Sequence, residues 1–309
     1  TVKDRKQVWA VFEQVLKTLQ AQKASDWSGI CHYAIQLLNT GKVESPFDAV
    51  IVDELQDLGS QEIKLLAALA GEGPNRLMLL GDAGQRIYAG RTSLKRLGID
   101  VRGRSHILRI NYRTTEQIRS FADQVVGDRR DDLDGEEEER KGTISLLQGP
   151  EPTIQGFKTQ PQQLQFITNQ INQLLKQGVA LDEIAIFART NDALNAIESC
   201  LEKTKLASQR LSHDREPQPN ALNLGTMHRA KGLEFKVVFI ANLSDDQMPF
   251  TYLVNQMPDQ PSREAALERE RQLLYVSATR ARDEVFATWV GQPSRFLEQL
   301  LTVPTQVKG

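Results

Sequence analysis

Two cysteines and four histidines are all that 309 residues offer to a disulfide framework or a soft-metal site. Cys31 and Cys200 stand far apart with no CxxC spacing, so both are expected to be buried small hydrophobes in a reducing compartment. His32, His106, His213 and His228 are too scattered to form a metal cluster. An excess of one charge is missing too: 38 Lys+Arg against 40 Asp+Glu leave a net charge of −2. The whole composition therefore lacks the basic surplus of a non-specific nucleic-acid binder. No apolar run approaches the ~18 to 20 residues that span a bilayer, which argues against a membrane-spanning helix; with the reduced cysteines, a cytoplasmic location is expected. The chain starts at Thr1 without the charged-then-apolar pattern of a secretory signal, and is expected to be a processed product or a fragment. What remains is ordinary for a globular chain, with 40% hydrophobic and 25% charged residues. At about 100 to 200 residues per domain, the length implies two domains.

The first 41 residues predict two helices. Val8, Val11, Phe12, Val15 and Leu19 recur at helical spacing, and Ser25-Asp26 caps a second helix through Ile30, Ala34, Leu37 and Leu38. Trp9, Trp27 and Trp289 are expected to be core or helix-packing aromatics rather than base-stacking platforms. Further on, short apolar runs predict strands at 49–52, 77–80, 107–110, 184–187 and 237–240. Helical stretches fall at 60–70, 115–126, 161–176, 191–201 and 263–280, followed by a strand near 284–290 and a short helix near 296–300. Strands alternating with helices predict an α/β fold, a mainly parallel sheet with helices on both faces. Residues 128–140 interrupt the pattern with eight acidic and three basic residues, and are expected to form a solvated loop. Taking that −5 out of the total of −2 leaves the other 296 residues at +3, so the mild acidity is local.

Ligands of open parallel sheets bind outside the carboxyl ends of the strands. Three of the predicted strands end in polar groups: Asp53-Glu54-Leu55-Gln56-Asp57, Gly81-Asp82-Ala83-Gly84-Gln85 and Asn111-Tyr112-Arg113. An apolar strand ending in two carboxylates suits Mg²⁺ beside the phosphates of a nucleotide, one carboxylate serving the ion and the other polarising a water. Gln85 is the residue type that orients such a water or senses a terminal phosphate. Arg113 and Arg280 are candidates for the positive charge that phosphoryl transfer requires.

Five ordered stretches carry a family likeness: VDELQD (52–57), LLGDAGQRIY (79–88), LRINYRT (108–114), LGTMHRAKGLEFKVVFIA (224–241) and QLLYVSATRA (272–281). Together they resemble the UvrD/Rep-type superfamily 1 DNA helicases from the Walker B motif onward. The resemblance implies RecA-like motor domains, one partial (1–112) and one complete (113–309), with ATP and Mg²⁺ as cofactors and single-stranded or partially duplex DNA as partner. It further implies that Asp53 serves Mg²⁺, Glu54 is the general base, Gln56 couples the nucleotide to neighbouring motifs and Gln85 contacts the γ-phosphate or its water. Tyr112 would stack on adenine, Glu234 would touch the ribose side, and Arg113 and Arg280 would reach the γ-phosphate. Arg91, Thr226, His228 and Lys231 would line the DNA path, tracked 3′ to 5′.

Three departures qualify the likeness. No G-x-x-x-x-G-K-[ST] occurs in the chain, so the phosphate-binding nest, its Lys and its Mg²⁺-binding hydroxyl are all lacking. An N-terminal Walker A segment is expected upstream, and the chain alone is expected to hydrolyse ATP weakly or not at all. Gly90 stands where the family places a stacking aromatic, which removes a contact worth roughly 1 to 3 kcal/mol. The interval from Arg113 to His228 leaves no room for a sizeable inserted domain. Two other readings stand beside the motor: a non-hydrolysing DNA- or protein-binding module, and a metal-dependent nuclease using Asp53, Glu54, Asp57 and Asp82. The nuclease leaves Arg113, Arg280 and the His228–Phe235 stretch unexplained.

Overall fold

The computed structural model describes residues 2–82, 85, 87, 93–127, 130–131, 137–138, 143–212 and 218–302. The chain divides into two compact units, one of residues 1–82 with 90–103, the other of residues 83–89 with 104–309.

The first unit holds α1 (Val2–Ala21), α2 (Trp27–Asn39), β1 (Val50–Val52), α3 (Ser60–Ala70) and β2 (Leu77–Leu79). Asp26 caps α2 as the sequence suggests, its carboxylate accepting the Gly29 amide at 2.7 Å. β1 and β2 pair in parallel with Val50 opposite Leu77 and Val52 opposite Leu79, joined by the crossover helix that parallel strands require. Buried apolar residues here are few: Cys31, Val52, Leu55, Ile63, Ala70 and Leu94. Against expectation, the apolar stripe of α1 is exposed along Val8, Val11, Phe12 and Val15, and so are Trp9 and Trp27, at 64% and 81%. Helical periodicity dictates the helix and its apolar face but not a partner for that face.

The second unit runs β3 (Ile110–Thr115), α4 (Glu116–Val126), β4 (Arg130–Asp131), β5 (Glu137–Glu138), β6 (Ile144–Leu147), β7 (Thr153–Phe157), α5 (Gln160–Lys176), β8 (Ile184–Ala188), α6 (Asn191–Lys203), β9 (Ser208–Arg210), β10 (Leu222–Thr226), β11 (Phe235–Ile240), α7 (Thr251–Asn255), α8 (Gln260–Ala278), β12 (Ala281–Val290) and α9 (Glu298–Thr302). Six strands form one sheet in the order β7-β12-β11-β8-β10-β9, every neighbour parallel. β8 is buried along its whole length, as a strand covered on both faces must be, and its sequence is accordingly an unbroken apolar run. One core packs α4 and α8 against the sheet, through Ile118, Phe121, Val125, Leu273 and Val276. The other packs α5 and α6 through Ile167, Ile171, Leu194 and Ile197, with Phe239 stacked on Phe286 at 4.5 Å between centroids. Trp289 lies in the first core, as expected.

β3 and β6 make a separate parallel pair. The apolar run at 107–110 is therefore not the strand predicted from it: β3 begins only at Ile110 and continues through the polar Asn-Tyr-Arg-Thr-Thr. Most of the acidic stretch 128–140 lies outside the described residues; its described part pairs β4 antiparallel with β5.

Candidate functional site

Beyond β1 the chain turns sharply. Glu54 sits in the left-handed region at φ 52° and ψ 40°, a conformation a non-glycine residue adopts at a cost of order 1 to 3 kcal/mol. Local hydrogen bonds hold it there. The Glu54 amide donates to Asp53 Oδ1 at 2.8 Å. Gln56, buried, donates through Nε2 to Glu54 Oε2 and accepts the Asp82 amide on Oε1 at 3.0 Å. The ends of β1 and β2 are laced together by Leu55 N to Leu80 O at 3.0 Å. Asp53 and Glu54 thus stand exposed beyond the strand while Gln56 fixes the turn from beneath. Hard carboxylate oxygens suit Mg²⁺, but no group of three His, Cys, Asp or Glu among the described residues could hold a metal. The fit is to an ion that takes one or two carboxylates and completes its shell from phosphate oxygens and water.

In the second unit the predicted residues separate to opposite ends of the six-stranded sheet. Glu234 and Arg280 immediately precede β11 and β12, whose first residues Phe235 and Ala281 are in register, with the Phe235 amide donating to Arg280 O at 2.9 Å. They mark the amino edge. Arg113 Nε pairs with Glu234 Oε2 at 3.0 Å. Asn111 shapes the neighbouring bulge of β3: its Oδ1 accepts the Arg113 amide at 2.8 Å and its Nδ2 donates to Thr114 Oγ1 at 2.7 Å. The register of β3 against β6 shifts at this bulge, and Tyr112 emerges 70% exposed. Arg280 is only 3% exposed. It donates to Val276 O at 3.2 Å, Leu233 O at 3.4 Å and Gln85 Oε1 at 3.3 Å. Lys231 Nζ donates to the Gln85 carbonyl at 3.1 Å.

Thr226 ends β10 and His228 lies in the single helical turn after it, at the carboxyl edge. Burial, followed by the nearby Arg189 cation, holds the imidazole of His228 below its usual range, with Glu270 opposing. The shift favours the neutral imidazole. Sequence reasoning missed Arg189 and Glu270. Their side chains are 11% and 10% exposed, the guanidinium gripping the carboxylate through Nε at 2.8 Å and Nη2 at 2.7 Å. Glu270 also accepts the Phe250 amide at 3.0 Å, and Arg189 lies over the Phe250 ring at 5.1 Å. Arg189 directly follows the apolar run of β8, so the search for polar groups beyond strand ends would have found it. Arg91 and Gly90 lie outside the described residues.

The chain is thus a parallel α/β protein with a strained, Gln-buttressed carboxylate pair in one unit and Arg113 and Arg280 in the other, side-chain types that phosphoryl transfer uses. Residues 106–213 and 200–292 match the UvrD-like helicase C-terminal domain, and residues 1–96 match the UvrD/REP helicase N-terminal domain. The chain belongs to the UvrD-like helicases. A probable DNA helicase of Mycoplasma pneumoniae is 31% identical over 81% of this chain and 46% of its own length. DNA helicase IV of Escherichia coli is 29% identical over 94% of this chain and 41% of its own. This chain thus spans about half the length of the curated relatives it matches. A solved C-terminal domain of a possible DNA helicase from Lactobacillus plantarum aligns at a TM-score of 0.45 and 20% identity, covering 61% of this chain and 92% of that one. No helix among the described residues is long and apolar enough to cross a membrane.

Proposed function

We propose that this chain is the C-terminal motor portion of an ATP-dependent superfamily 1 DNA helicase or translocase that tracks 3′ to 5′ on single-stranded DNA. Residues 1–112 would belong to a partial first motor domain and 113–309 to the second. The observation that carries this reading is the split within one sheet, with Glu234 and Arg280 before strands β11 and β12 and Thr226 and His228 after strand β10. One edge then serves nucleotide and the other DNA.

Bound ATP·Mg²⁺ would supply the phosphoanhydride whose hydrolysis drives movement. Asp53 would ligate the ion. Glu54 would take the proton of the attacking water, its other oxygen steadied by Gln56. Gln85 would contact the γ-phosphate or the water attacking it. Arg113 would exchange Glu234 for a phosphate oxygen, a swap made cheap because both side chains are about half exposed and their pair contributes little. Arg280 would place fixed charge where negative charge develops, needing little reorganisation because its hydrogen bonds already hold it. Exposed Tyr112 would stack on adenine and Glu234 would then face the ribose. Thr226, His228 and Arg91 would follow the DNA strand.

The second reading, a non-hydrolysing DNA- or protein-binding module, draws on the absence of G-x-x-x-x-G-K-[ST] from these 309 residues. Anisotropy of a labelled oligo-dT tests the DNA half. Binding that weakens linearly with log salt and drops on His228→Ala is expected, and no binding at low salt would sink the motor reading. ATP hydrolysis by the 309 residues is expected to be weak. Robust DNA-stimulated turnover abolished by Glu54→Gln would overturn the dependence on a phosphate loop supplied from elsewhere.

A further inference from the structure

We infer that Lys231 is a positioning residue of the nucleotide edge, holding Gln85 in place through its backbone, and not a contact to DNA phosphates. This inference rests on the motor reading for its meaning but on local geometry for its support. Gln85 is gripped at two points. Its carbonyl accepts from Lys231 Nζ at 3.1 Å and from the Ile87 amide at 3.0 Å. Its side-chain oxygen accepts from Arg280 Nη2 at 3.3 Å. Ile87 then seats in the core beside α4 and α8, which anchors the segment from its other side. Lys231, Gln85 and Ile87 all belong to the second unit.

Placement makes the same point. The residues from Met227 to Glu234 carry the chain from the carboxyl end of β10 to the amino end of β11. His228 comes at the beginning of that passage, whereas Lys231 reaches Gln85, which is itself bound to Arg280 just ahead of β12. An ammonium spent on a partly buried carbonyl forms a charge-assisted hydrogen bond, stronger than a neutral one and strengthened further by its low-dielectric surroundings. With the main chain fixed by Lys231 and the amide oxygen by Arg280, the side chain of Gln85 is set before any phosphate arrives. Preorganisation of this kind is what a γ-phosphate sensor needs.

Two readouts on the 309-residue chain decide the matter. The first is hydrogen exchange at the Ile87 amide, which shares the Gln85 carbonyl with Lys231. Lys231→Met is expected to speed it about tenfold, and Lys231→Arg, which keeps a cationic donor, is expected to restore it. The second is the salt dependence of oligo-dT binding. A lysine on a single-strand phosphate adds about 0.7 to the slope of log affinity against log salt. Lys231→Met is expected to leave that slope unchanged. Unaltered exchange at Ile87, or a slope that falls by about 0.7, overturns the inference. Exchange measured at other core amides separates a local effect from a failure to fold. If the unsubstituted chain binds no DNA, the motor reading falls while the exchange comparison still decides for or against Lys231 as the holder of Gln85.

Discussion

Arg189 and Glu270 show what a single charged pair does inside this fold. Taking both groups out of water is costly, and their attraction offsets the cost only because the grip is bidentate and the carboxylate also accepts the Phe250 amide. Removing one partner leaves the other buried and uncompensated. Glu270→Gln is therefore expected to destabilise the second unit by about 3 to 5 kcal/mol, read as a lowered urea midpoint in Trp289 fluorescence. The double change Arg189→Met with Glu270→Met is expected to recover most of the loss, and a single-variant cost below about 1 kcal/mol would contradict the argument. Asp53, Glu54, Arg113 and Arg280 stand out in the sequence as candidates because phosphoryl chemistry would use such groups next to apolar runs. Glu270 does not. It stands on α8 among Glu264, Glu268 and Arg269, and only the fold shows which of these acids turns inward.

At the scale of elements, apolar runs revealed β1, β2, β8, β11 and β12; such runs are obligatory only where both faces are buried, as in β8 and β11. β7 and β9 escaped because edge strands carry mixed residues, and β10 because Asn223 and Gly225 break its apolar run. Asn223 is nonetheless fully buried, its Nδ2 donating to Asp182 O at 2.9 Å. The pairing of β3 with β6 was equally hidden, since α4 and the acidic stretch separate the two strands in sequence. β7 shows how closely such elements fit. Gly156 lies opposite Trp289 of β12, and a Cβ built on it would come within 2.6 Å of the indole ring. Gly156→Ala must push the ring aside or bend the edge strand. The expected cost is about 1 to 3 kcal/mol, with a red shift in Trp289 emission as the ring moves towards water. An alanine variant with unchanged stability and emission would mean that β7 yields freely, contrary to this packing.

Over the whole chain, burial is uneven in a way that composition conceals. The second unit builds two cores on a six-stranded sheet. The first rests on a two-stranded sheet whose Ile51 is 72% exposed, beside a helix with an exposed apolar stripe. Apolar burial is the main favourable term in folding, and two strands with few buried side chains are marginal without further packing. The net charge of −2 masks a similar unevenness, since the 13 residues 128–140 carry −5 and the remainder +3. The two units are therefore expected to lose structure separately. Under increasing urea, the amides of Leu55 and Leu80, bonded to Leu80 O and Val52 O in the first unit, should lose protection from hydrogen exchange first. Those of Ala241 and Leu243, bonded to Phe187 O and Thr288 O in the second, should follow at higher denaturant. Far-UV circular dichroism should show an early phase to which Trp289 fluorescence is blind. Coincident loss of all four amides in one step would show that the thin core of the first unit draws stability from the second, and that the chain folds as one cooperative body.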